Sequence, residues 1–162
     1  MDDLRRQIER CGEGRVCLMG LGSPERGDDG FGVRLAEELA RLGVPGVIVA
    51  GTSPDRFMGR VAAEGCDHLI FLDAVDFGGA PGSAAWLDSA AMASRYPQVS
   101  THRVSLGLLA RLAESGGGTR AWLLGVQPQS LGPAGRLSPA VQRTLEILRD
   151  WLRQACAARS PA

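Results

Sequence analysis

Gly20-Leu21-Gly22-Ser23-Pro24-Glu25-Arg26-Gly27-Asp28-Asp29-Gly30-Phe31-Gly32 is the segment from which the rest of this 162-residue chain can be read. The run before it, Val16-Cys17-Leu18-Met19, is short and apolar and predicts a buried strand. After it Phe31, Leu35, Leu39 and Leu42 recur at helical spacing, with Arg34, Glu37, Glu38 and Arg41 on the opposite face. The glycine-rich segment is therefore a strand-to-helix turn. Such turns commonly bind phosphate, because a helix N-terminus offers unpaired N–H groups and the positive end of the helix dipole. Here Asp28 and Asp29 occupy that end and would repel an anion, so the turn suits a cation or a polar peptide group. The chain has no lysine, which excludes a Walker A loop. Glu25 stands where a dinucleotide-binding turn needs its third glycine, and the second strand closes on Ala50-Gly51-Thr52 without an acidic residue.

Further along, Val47–Ala50 predicts a second strand. Pro54 opens a helix through Phe57, Met58, Val61 and Ala62 that Gly65 ends. Leu69–Leu72 is a third strand closed by Asp73, Gly78–Gly82 is a loop, and Ala84–Leu87 is a weaker strand suited to an edge. Residues 88–101 show little periodicity and predict a surface loop with a short helical turn. A helix from about Arg103 to Glu114 should turn Val104, Leu108 and Leu112 inward and stop at Gly116-Gly117-Gly118. Ala121–Gly125 is a fifth strand. The last helix takes Ser138 as N-cap and Pro139 at its first position, burying Val141, Leu145, Leu148 and Leu152. Continuous apolar strands alternating with amphipathic helices predict an α/β three-layer sandwich, a five-stranded, mostly parallel twisted sheet with helices on both faces. Residues 1–14 are polar and end in Gly12-Glu13-Gly14, so a loose or short helical arm is expected there, followed by a single domain over 15–158.

Eighteen basic residues balance eighteen acidic ones, which leaves no electrostatic case for nucleic acid or an anionic membrane surface as partner. The four cysteines have no Cys-x-x-Cys spacing, so neither a disulfide framework nor a zinc knuckle follows. Cys17 and Cys66 adjoin apolar strands and read as small core residues. No apolar segment follows Met1–Arg6, and no apolar run approaches the ~20 residues of a membrane span. A cytoplasmic protein is expected.

In a sheet of this kind ligands bind outside the carboxyl ends of the strands. The polar residues predicted there are Asp29, Asp73 and His102. Each has an ordinary reading. Asp28 or Asp29 can cap the first helix, where a carboxylate contributes about 0.5–1 kcal/mol, and Asp28 is the better candidate for that role. Asp73 can accept from loop amides, and His102 can be a surface residue at a helix start. Together they make two carboxylates and an imidazole on one sheet edge, an incomplete metal shell of oxygen and nitrogen donors. Other constellations are missing: there is no Gly-x-Ser-x-Gly, no His-Glu-x-x-His, and no cysteine close to His102 in sequence. His68 enters a strand and reads as structural.

The stretch Gly20–Val33 with Leu35–Leu39, then Ala50-Gly51-Thr52, Asp67–Ala74, Ser100-Thr101-His102, Leu124–Leu131 and Leu137-Ser138-Pro139 resembles the nickel–iron hydrogenase maturation endopeptidases. That family's opening pattern is Gly-x-Gly-Asn, four variable residues, Asp-Asp or Asp-Glu, then Gly before the helix. Here Ser23 replaces the usual Asn, and Ala50 and Pro54 stand where glycines are common. The resemblance implies a five-stranded sheet between helices and an endopeptidase that removes the C-terminal extension of a hydrogenase large-subunit precursor after nickel insertion. It implies a nickel ion carried in by that precursor, with Asp29, Asp73 and His102 as its ligands converging on one ion, and Gly22, Gly27, Asp28 and Thr52 as the supporting loop positions. The alternative it leaves is a non-cleaving, nickel-dependent binding module or maturation chaperone of the same fold.

Overall fold

The apolar runs become strands and the amphipathic stretches become helices in the order set by the chain. The computed structural model describes residues 1–95 and 105–157. Helix α1 (Asp2–Gly12) is followed by strand β1 (Val16–Leu21), a 3-10 turn (Gly27–Gly30) and α2 (Phe31–Arg41). Next come β2 (Val47–Gly51), a second 3-10 turn (Pro54–Phe57) running into α3 (Met58–Glu64), β3 (His68–Ala74) and β4 (Ala84–Asp88). Helices α4 (Ser89–Arg95) and α5 (Leu106–Glu114), strand β5 (Arg120–Val126) and helix α6 (Pro139–Ala157) complete the described chain. The sheet order is β2-β1-β3-β5-β4, parallel throughout except for β4, which runs antiparallel to β5 at one edge. This is the expected five-stranded α/β sandwich, with the weak fourth strand at the edge.

Alternation along each strand divides the core into two layers. Leu18, Ile70, Leu72 and Leu124 face α1, α2 and α6, meeting Ile8, Leu35, Leu39, Val141, Leu145 and Leu148. Cys17, Met19, Leu21, Leu69, Phe71 and Leu123 face the other way, onto Met58, Val61, Met92, Leu106 and Leu109. Both layers are buried, so the central strands are continuously apolar rather than alternating. Cys17 and Cys66 lie in the second layer, as core residues. Gly65 ends α3 in the left-handed conformation, φ 61°, as its position after the periodic run predicted. Among the described residues no helix is long and apolar enough to cross a membrane.

Four expectations are corrected. Residues 2–12 take the short helical form of the two expected, but not as an arm: the helix packs on α6 and buries Leu4, Ile8 and Cys11 in the first layer. Residues 89–95 form helix α4 with Met92 buried, where a loop with one turn was expected. In α5 the inward residues are Leu106, Leu109 and Ala110, whereas Leu108 and Leu112 are 62% and 58% exposed. Two apolar stripes compete on that helix, and contact with α4 and β5 selects the one with the smaller side chains, Gly107 and Ala110. Val104 lies outside the described residues. Leu42 is exposed because α2 ends at Arg41, one residue before it.

Candidate active site

β1 and β3 lie side by side, yet the chain leaves them in opposite directions. From β1 it crosses by α2 to β2 on one side; from β3 it goes to β4 at the far edge. The carboxyl ends of two such strands leave a crevice between the diverging connections. Both carboxylates singled out from the sequence belong to these two strands: Asp29 follows β1 and Asp73 is the penultimate residue of β3.

Two glycines make the close approach possible. Gly22 leaves β1 with φ 113°, and a Cβ there would fall 1.8 Å from the Asp29 carbonyl oxygen. Only a residue without a side chain lets the loop fold back this tightly. Gly32, in the first turn of α2, lies over the sheet so closely that a Cβ would fall 1.9 Å from the Leu72 carbonyl oxygen and 2.5 Å from that of Leu21. The start of α2 is thus pressed onto the ends of β1 and β3, and the 3-10 turn carrying Asp29 contacts β3. Asp29 is 5% exposed and Asp73 3%. The Asp29 carboxylate accepts from the Ser23 N–H at 2.9 Å. In β5 the register partner of Asp73 is Gly125, which presents no side chain next to it.

Asp28 does something else. Its carboxylate accepts from the N–H groups of Gln129 (2.8 Å), Ser130 (3.2 Å) and Ser138 (2.7 Å) and from the Ser138 hydroxyl (2.8 Å). Burial pushes this carboxyl upward, but the four hydrogen bonds outweigh burial together and hold it below the usual carboxylate range. The expectation that Asp28 caps the first helix is therefore corrected. No side chain caps the 3-10 turn or α2, and Asp28 instead ties the loop after β1 to the start of α6. Ser138 stands at the expected helix entrance, but its hydroxyl goes to Asp28. Gly27 adds to the same seam by donating its N–H to the Ala134 carbonyl at 2.8 Å, and Arg34 bridges the carbonyls of Pro24 and Gly135 at 3.3 and 2.7 Å. Thr52 is an exposed residue just after β2, next to Gly51, whose carbonyl accepts from Gly22 N–H at 2.9 Å.

The expected imidazole, His102, lies outside the described residues. Among the described residues no three His, Cys, Asp or Glu side chains assemble into a metal cluster. Asp29 and Asp73 are oxygen donors of the hard type, and two carboxylates by themselves would not close the coordination shell of a divalent cation. His68 is structural, as expected: the Trp122 indole donates to its Nδ1 at 3.1 Å, and burial lowers its pKa.

Sequence reasoning missed Gln127. It immediately follows β5, is 7% exposed, and its Oε1 accepts from the N–H groups of Phe77 (2.8 Å) and Gly79 (3.1 Å) while its Nε2 donates to Asp76 (3.0 Å). The criterion that singled out Asp73, a polar residue closing an apolar strand at its carboxyl end, applies equally to Gln127. Its amide also holds the Asp76 carboxyl below the usual carboxylate range, with help from the Gly78 N–H.

The chain and its fold are similar to known proteins. The sequence model of the HycI hydrogenase maturation proteases matches residues 33–152. The hydrogenase expression/formation protein HoxM of Azotobacter vinelandii is 32% identical over 152 residues, covering 83% of this chain and 72% of the relative. HupD of Thiocapsa roseopersicina is 29% identical over 153 residues, 84% of this chain and 68% of the relative. Among solved structures, the [NiFe] hydrogenase maturation protease HycI from Thermococcus kodakarensis superposes with a TM-score of 0.83 at 30% identity, over 93% of this chain and 99% of that one. The hydrogenase maturating endopeptidase HybD from E. coli gives 0.68 at 28% identity, over 89% and 91%.

Proposed function

This chain belongs to the hydrogenase maturation protease family, and we propose that it recognises its precursor through nickel already bound there, using Asp29, Asp73 and His102 as ligands. It is an endopeptidase of hydrogenase maturation. The reaction proposed for it is removal of the C-terminal extension from a hydrogenase large-subunit precursor. The observation that supports the reading is the placement of two buried carboxylates at the carboxyl ends of the adjacent strands β1 and β3, where their connections diverge.

Two carboxylates and one imidazole leave positions open on a divalent ion, and this site brings no thiolate of its own. A nickel ion held by soft ligands of the precursor matches that shortfall, the enzyme adding hard oxygen donors to an ion that arrives partly ligated. Bound in this way the ion would tether the precursor and place its C-terminal segment against the site, so that proximity would supply much of the specificity.

The test is mass spectrometry of a precursor before and after incubation with the enzyme. Nickel-loaded precursor should lose its extension, and nickel-free precursor should stay intact even at high enzyme concentration. His102→Ala should abolish processing without unfolding the protein. Efficient cleavage of a metal-free precursor in the presence of a strong chelator would overturn the nickel reading. Tight nickel-dependent binding with no cleavage under any condition would favour the binding-module alternative.

A further inference from the structure

We propose that Gln127 is a positioning residue for the site: its side-chain amide holds the β3–β4 loop against the end of β5 and so keeps the strand end bearing Asp73 in register. The proposal rests on the reading of Asp29 and Asp73 as metal ligands. The loop in question, residues 75–83, begins two residues after Asp73. Its two ends are joined to β5 by backbone: Val75 N–H donates to the Val126 carbonyl at 3.0 Å, Gly82 N–H to the Gln127 carbonyl at 2.9 Å, and Gln127 N–H to the Ser83 carbonyl at 2.8 Å. The middle of the loop rests on the Gln127 side chain. Oε1 takes both lone pairs' worth of donors, Phe77 and Gly79, and Nε2 takes Asp76, so three of the four hydrogen bonds available to a glutamine amide are made.

The placement matches what the site needs. Asp76 is an exposed carboxylate three residues beyond Asp73, and the Gln127 donor turns it into its own loop. The same chain segment holds the other acid-bearing loop two residues later, where Gln129 and Ser130 donate to Asp28, the neighbour of Asp29. Both loops are thereby registered on the chain leaving β5. Groups that orient metal ligands from behind typically change affinity or activity 10–100-fold when removed.

Gln127→Glu tests the donor half alone. It keeps an acceptor for Phe77 and Gly79 but sets a carboxylate against Asp76. With nickel-loaded precursor as substrate and the variant assayed well below its melting temperature, kcat should fall at least about tenfold while KM stays within about threefold. The double variant Gln127→Glu, Asp76→Asn restores a donor–acceptor pair with reversed polarity, and should recover kcat to within about threefold of wild type. Asp76→Ala, a change at an exposed position, guards against a folding failure: it frees the Gln127 amide and should lower kcat at least about threefold. Wild-type kcat in Gln127→Glu or Asp76→Ala, a loss that merely tracks the unfolded fraction, or a folded double variant that fails to recover would each overturn the proposal. Asp29→Ala and Asp73→Ala run beside these variants. If those two still process precursor, the site reading and this inference fall together; if they are inactive and Gln127→Glu is normal, only the inference falls.

Discussion

Adjacent aspartates of the same turn have opposite jobs. The buried Asp28 carboxylate accepts four part-buried hydrogen bonds, and that of Asp29 accepts from the Ser23 N–H. A hydrogen bond contributes about 1 kcal/mol net and more when its acceptor is charged, so Asp28→Ala should lose at least about 2 kcal/mol in urea unfolding and Asp29→Ala clearly less. Processing should be abolished in Asp29→Ala although the protein stays folded. A larger stability loss from Asp29→Ala than from Asp28→Ala would make Asp29 a structural residue first. Acid should separate two groups whose folded pKa lies below its ordinary value, His68 through burial and Asp28 through its hydrogen bonds overcoming burial. For each, the unfolded chain binds more protons than the folded one, so stability rises with pH through its window. The His68 penalty begins as pH falls below about 6.5, while the Asp28 contribution is complete above about 3.9 and is lost below it. The stability gap between wild type and Asp28→Asn should therefore hold from pH 7 to 5 and close toward pH 3. A gap that stays constant to pH 3 would show that the hydrogen bonds do not favour the charged form.

Packing, not pattern alone, chooses the buried stripe of a helix. α6 buries Val141, Leu145, Leu148 and Leu152 as its spacing predicted, while Ile147 on another face stays 42% exposed. Leu145→Ala should cost about 2–5 kcal/mol in chemical denaturation, through lost transfer energy and the cavity left under the sheet. On α5 two stripes compete, and Leu108 and Leu112 take the exposed one. Replacing either by Glu should change stability by no more than about 0.5 kcal/mol. A cost above 2 kcal/mol for either would mean that the outward face of α5 is covered in solution.

At the scale of the molecule, α1 closes the first core layer instead of trailing from it, with Ile8 buried against the sheet-covering helices. Ile8→Ala should cost about 2–5 kcal/mol, and a chain lacking residues 1–12 should melt far below the full protein. A truncated chain as stable as the whole would return this segment to the status of an arm. The sequence alone determined the α/β class, the five strands, the edge position of β4, the left-handed cap at Gly65 and the two acids at the carboxyl edge. These are short-range properties: apolar runs, glycine punctuation and the polar residue that ends a strand act within a few residues of chain. Tertiary structure decided which stripe of α5 is buried, that residues 2–12 pack on α6, that Asp28 holds the chain after β5, and that Gln127 holds the β3–β4 loop. Those outcomes rest on contacts between different elements, several of them far apart in the chain, such as Asp28 with Gln129 and Phe77 with Gln127. A hydrogen bond of that span leaves no periodic trace in the sequence, because its partners are neighbours only after the sheet has formed.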